Sequence, residues 1–139
     1  MAGFNLNFCD PLMDEPTPLG TFPKEEVLGV FSKIDWPAFI DKRNKAGDED
    51  EYYSPSFQVE NSTSKAALEA SASGQPDSYK FYIIYFTPQI KKKLLGITVS
   101  EEGGDLLTLE GQPHQATVEI IKALLNEDYA FLNSRFDAI

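Results

Sequence analysis

Tyr79-Lys80-Phe81-Tyr82-Ile83-Ile84-Tyr85-Phe86 reads as a β-strand that is apolar on both of its sides. Alternate side chains of a strand point to opposite faces, so Tyr79, Phe81, Ile83 and Tyr85 form one apolar row and Tyr82, Ile84 and Phe86 the other. Each row calls for a covering layer, which places the segment inside a sheet rather than at its edge. Five of the 17 aromatic residues of the chain fall in these eight positions, and the core is expected here.

The flanking segments supply partners for such a strand. Upstream, Phe57 and Val59 alternate with Gln58 and Glu60, the pattern of a strand with one wet face. Leu68, Ala70 and Ala72 alternate with Glu69, Ser71 and Ser73; Ala66–Ala72 also has high helix propensity. Its shortness and the turn residues on either side, Asn61–Ser64 and Gly74–Ser78, favour a strand. Downstream, Leu95, Ile97 and Val99 alternate up to the turn Glu101-Glu102-Gly103-Gly104, and Leu107 and Leu109 form a further short strand.

Helical periodicity brackets this meander. Val27, Val30, Phe31 and Ile34 follow the i, i+3, i+4, i+7 spacing, with Thr21 and Pro23 suited to the helix start. Asp35 before Trp36-Pro37 is an N-cap with proline in the first turn, predicting a second short helix to about Asn44. Pro113 opens the longest pattern, with Val118, Ile121, Leu125, Tyr129 and Leu132 on one stripe widened by Ile120 and Leu124. A restart at Asn126–Asp128 would divide it in two. Residues 1–20 read as an extended arm in which Phe4, Leu6 and Phe8 alternate, able to pack along the domain or to add an edge strand. Residues 44–56 have loop composition. The whole predicts a single α+β domain over 1–139. Its antiparallel sheet has about four to five strands, with N-terminal and C-terminal helices on one face. The other sheet face would then expose large aromatics, as interfaces do.

With 139 residues, 42% hydrophobic and 24% charged, the chain has the size and composition of one globular domain. Its net charge of −10 is unevenly spread. Residues 1–51 carry 11 acids and 5 bases, residues 52–99 carry 3 and 5, and residues 100–139 carry 8 and 2. A near-neutral sheet region between acidic flanks attracts basic surfaces and repels nucleic acid and anionic membrane. No window reaches the 18 or so apolar residues of a membrane span, and Met1–Gly20 lacks the regions of a signal peptide. The lone Cys9 favours a reducing compartment; cytoplasmic is the simplest localisation, and a removed leader is compatible with the chain.

Catalytic chemistry finds little to work with. Cys9 and His114, the only histidine, are the one thiolate pair the composition allows, but Cys9 lies in an acidic arm where a catalytic cysteine needs an electropositive setting. His114 falls in the first turn of a helix, and no Gly-x-Ser-x-Gly elbow presents a serine. Asp48–Glu51 and the cluster Glu101, Glu102 and Asp105 lack the ligand spacing of a calcium loop. No glycine-rich phosphate loop occurs, since Gly103-Gly104 is flanked by acids. Lys91-Lys92-Lys93, after the aromatic strand, read as guards against edge pairing. No cofactor or metal is expected.

These features predict a small, acidic, non-enzymatic protein-binding domain of inhibitor or immunity type. Its partner-binding residues would be Asp48, Glu49, Asp50, Glu51, Glu101, Glu102 and Asp105, docking on a basic partner surface. In size, charge and α+β pattern the chain is similar to the immunity proteins of bacterial toxin systems, a likeness of build. The alternatives are an adaptor or chaperone-like module that dimerises through its sheet face, and a small enzyme with a site near His114.

Overall fold

In the computed structural model, residues 3–46, 53–94 and 97–138 are described; for 90–94, 97–103 and 137–138 only the placement of the strands is given. The elements run β1 (Phe4–Cys9), β2 (Thr17–Phe22), α1 (Lys24–Ser32), α2 (Trp36–Asn44), β3 (Ser56–Asn61), β4 (Ala67–Gln75), β5 (Ser78–Phe86), β6 (Gln89–Leu94), β7 (Ile97–Gly103), β8 (Leu106–Gln112), α3 (His114–Leu125), α4 (Tyr129–Arg135) and β9 (Asp137–Ala138). The fold is α+β. One antiparallel sheet has the order β2-β1-β3-β4-β5-β8-β9, and β6 and β7 form a separate two-stranded hairpin.

The strand Ser78–Phe86 is interior as expected, paired on one side with β4 from Ala67↔Phe86 to Gln75↔Ser78 and on the other with β8 from Phe86↔Leu106 to Phe81↔Gln112. The sheet is wider than the four to five strands expected, with six full strands and the two-residue β9. The surplus comes from the N-terminal segment. Far from being an arm or an edge addition, β1 lies inside the sheet, bonded to β3 along its whole length from Phe4↔Asn61 to Cys9↔Ser56 and to β2 on its other side. The outer position falls to β2, whose Pro18 donates no backbone hydrogen bond and is tolerated at an edge.

The segment 89–103 also departs from expectation. Lys91–Lys93 lie within β6 rather than in a strand-end cap, and β6 pairs with β7 from Gln89↔Gly103 to Leu94↔Ile97. The hairpin is inserted between the neighbours β5 and β8. Its root is fixed by hydrogen bonds from Thr87 N to Asp105 O (2.9 Å), Gly104 N to Thr87 O (3.2 Å) and Gln89 N to Ser64 O (2.9 Å).

The helices cover one face of the sheet. Phe4 and Leu6 of β1, Phe57 and Val59 of β3, Leu68, Ala70 and Ala72 of β4, and Phe81, Ile83 and Tyr85 of β5 are buried together with Val27 and Phe31 of α1, Trp36 and Ile40 of α2, and Ile120, Ile121 and Leu124 of α3. Phe31 is the hub, its ring 5.3 Å from Phe57, 5.7 Å from Trp36 and 5.9 Å from Phe81. Such tilted and edge-on aromatic pairs add to what their area burial contributes. The helix starts follow the sequence signals: Asp35 Oδ1 accepts from Ala38 N (3.2 Å) to cap α2, Pro113 precedes α3, and Asp128 Oδ1 accepts from Phe131 N (3.2 Å) to cap α4.

Candidate binding surface

The second apolar row of β5, for which a covering layer was expected, has no helix on it among the described residues. Tyr82, Ile84 and Phe86 are half-buried, whereas Phe81, Ile83 and Tyr85, one position away, are at most 1% exposed. Strand pairing extends this bare face across the sheet: Asn5 and Asn7 of β1, Gln58 and Glu60 of β3, Ala67, Glu69 and Ser71 of β4, and Thr108 of β8 share its side. One end is therefore rich in primary amides and carboxylates, and the other is apolar.

A groove of about 340 Å³ runs over the polar end, bounded by Asn5, Asn7, Gln58, Glu60, Lys65, Glu69, Phe86 and Gln89. Within it, Asn5 Nδ2 donates to Glu60 Oε1 (3.2 Å), while Thr21 Oγ1 from β2 donates to Asn5 Oδ1 (2.8 Å). Gln58 Nε2 donates to Cys9 Sγ at 3.6 Å. The Cys9 thiol is pushed above its ordinary range by burial and, second, by the negative charge of Glu69. That is the reverse of what a reactive thiolate needs.

Cys9 belongs to the bare face, on which Gln58 and Glu69 also lie. His114 is on the opposite side, an exposed first residue of α3 whose ring sits 5.3 Å from Phe31 and 6.2 Å from Phe81. The sheet separates the only cysteine from the only histidine, so they cannot act as a nucleophile and base. Among the described residues, no three His, Cys, Asp or Glu side chains come together in a way that could hold a metal ion, and no helix is long and apolar enough to cross a membrane.

The partner-binding acids named from the sequence are placed unevenly. Asp48–Glu51 lie outside the described residues. Glu101 and Glu102 stand in β7, opposite Lys91 and Ile90 in the register, and Asp105 is exposed at the hairpin root, where its N–H donates to Thr87 Oγ1 (2.8 Å). The segment 87–105 holds three lysines and three acids, so the acids here do not belong to a region of net negative charge.

A smaller concavity of about 220 Å³ lies at the far end of the helical layer, between Phe4, Lys24, Glu25, Asn61, Leu125, Asn126 and Glu127. Its polar centre is a structural clamp. Asn61, fully buried, accepts at Oδ1 from the N–H groups of Thr63 (2.9 Å) and Ser64 (3.1 Å) and donates from Nδ2 to Glu127 Oε1 (3.2 Å). It closes the β3–β4 turn and ties it to the α3–α4 junction, where Glu127 adopts the left-handed conformation (φ 56°).

The groove residues were missed from the sequence as a site, although the alternation of Gln58, Glu60 and Glu69 with buried positions was the signal that they share a wet face. Asn5 and Asn7 joined them only because β1 pairs with β3. Comparison of the chain with models of known protein families, with curated proteins and with solved structures yields no match.

Proposed function

We propose that this chain is a small acidic protein-binding domain of the inhibitor type, which engages a basic protein partner with the bare face of its sheet. The observation that carries this reading is the one-sided burial of β5. Phe81, Ile83 and Tyr85 lie under helices, while Tyr82, Ile84 and Phe86 are only half-buried, on a face with no helical cover among the described residues. A strand used only for folding does not need large apolar side chains on a solvent side, and a contiguous apolar patch bordered by polar groups is the composition of an interface. The net charge of −10 supplies the preference for a basic partner. In this reading Asp48–Glu51 and the overall negative charge contribute long-range attraction, Glu101, Glu102 and Asp105 are offset by Lys91–Lys93, and the sheet face contributes the contact.

The test is retention of a basic protein from an extract of the native host on the immobilised chain, repeated with Ile84→Ser/Phe86→Ser and with charge reversal at the loop acids. The expected result is loss of retention by the face variant with its fold intact. Charge reversal should mainly slow association, by an amount that shrinks as salt is raised. Unchanged retention by the face variant would move the interface elsewhere. The adaptor alternative shares the same face and differs in its occupant, a second copy, which sedimentation of the isolated chain distinguishes.

A further inference from the structure

We infer that the groove bounded by Glu60 and Glu69 receives an arginine-bearing extended segment of the basic partner. This rests on the binding-domain reading above and assigns its polar end a ligand chemistry. Both carboxylates are half-buried. Glu60 has one neutral hydrogen bond, from Asn5, and Glu69 has none among the described residues. The two ion pairs found among those residues, Lys42–Asp10 and Lys45–Asp41, lie elsewhere. Lys65 stands exposed at the groove rim, and its ammonium pairs with neither glutamate. Among the described residues neither anion has a cation partner, and a partly desolvated carboxylate gains from one.

The neighbours favour guanidinium over ammonium. Asn7 and Gln58, whose side-chain amides carry carbonyl acceptors for a donor fork, line the same groove as the carboxylates, and Phe86 lines it with a ring on which a guanidinium can stack. From β1 to β5 the groove crosses three strand spacings, about 14 Å at about 4.8 Å each, which four extended residues at about 3.3 Å each would span. Its volume of about 340 Å³ lies within the range of ligand sites. Burial first, and the negative charge of Glu69 second, raise the Cys9 thiol on this same face.

The test is an NMR titration of the intact chain with a capped pentapeptide containing two arginines, against the same peptide with neutral citrulline in their place. The arginine peptide should shift the amide signals of Gln58, Glu60, Glu69 and Phe86, and the citrulline peptide should bind about ten-fold or more weakly, as for loss of a charged hydrogen bond. Glu60→Gln/Glu69→Gln should weaken the arginine peptide by a similar factor, while Asp14→Asn/Glu15→Gln should not; melting curves of both variants verify the fold. Equal binding of the two peptides, shifts confined to other surfaces, or an unaffected Glu60→Gln/Glu69→Gln variant would overturn the assignment. So would self-association abolished by that variant, since the occupant would then be a second copy. Retention of a basic host protein by Glu60→Gln/Glu69→Gln at wild-type strength would refute the groove while leaving the binding-domain reading standing.

Discussion

Replacing Ile83 and Ile84 in turn by alanine puts a magnitude on the one-sided sheet. The two residues are adjacent in β5, share its pairing with β4 and β8, and lose the same atoms. Ile83 is 1% exposed among Ala70, Leu109 and the helical layer, so its truncation leaves a cavity in a packed core. A loss of about 3–4 kcal/mol is expected. Ile84 is half-buried on the bare face, where solvent fills the space left behind. Three methylene equivalents at about 0.8 kcal/mol each, half realised, come to about 1 kcal/mol. The lower strand propensity of alanine, under about 1 kcal/mol, adds to both and cancels in the comparison. For a domain of this size each kcal/mol moves the melting midpoint by roughly 3–4 °C, so calorimetry should find Ile83→Ala lowered by about 10 °C or more and Ile84→Ala by about half of that or less. Equal losses would mean that both faces are covered, and the reasoning from one-sided burial would fail.

Three further substitutions probe features inside the fold. The Tyr85 hydroxyl is buried with no hydrogen-bond partner among the described residues, so Tyr85→Phe should be neutral or stabilising by about 1–2 kcal/mol in urea unfolding; a loss above 1 kcal/mol would reveal a partner. Burial, and then the neighbouring Tyr129, push the Tyr85 hydroxyl up to about 12. The unfolded chain therefore releases this proton first, from about pH 10, and stability should fall as pH rises from 10 towards 12. Tyr85→Phe should lose less over that range, and identical pH profiles would contradict the assignment. Asn61→Ala removes three hydrogen bonds and leaves two turn N–H groups and Glu127 without their partner; unfolding should show a loss of about 2–4 kcal/mol, and one under 1 kcal/mol would mean that the clamp is dispensable. Gly74, in β4 just before its turn into β5, has φ 121°, and an added Cβ would lie 2.7 Å from Ser78 O, so Gly74→Ala should cost at least about 1–3 kcal/mol, and a neutral result would show that the strand end can relax.

What could be read from the chain was local. The alternation in β3, β4 and β5, the proline and aspartate starts of α2 and α3, and the restart capped by Asp128 all rest on a few consecutive residues, and each was in place. What could not be read was pairing between distant segments. The Phe4, Leu6, Phe8 alternation showed that the N-terminus is a strand-like segment, but only its register with Phe57 and Val59 makes it interior, and nothing nearby in sequence encodes that register. The first strand of the hairpin 89–103 was missed because three successive lysines mask the alternation of β6, whereas Ile97 and Val99 of β7 were read as strand. The candidate site failed to assemble for the same reason as the sheet: Asn5, Glu60 and Glu69 come from three strands, and their common face exists only once β1, β3 and β4 are side by side.

The central claim, that the bare sheet face makes the contact, is tested most directly by hydroxyl-radical footprinting of the chain alone and with its retained basic partner, read residue by residue by mass spectrometry. The account predicts that oxidation of Tyr82, Ile84 and Phe86 falls several-fold in the complex, while exposed Met13 and Leu12, in the β1–β2 loop, change little. Unaltered oxidation of the three β5 side chains, with protection appearing on the helices or on the β1–β2 loop instead, would contradict it.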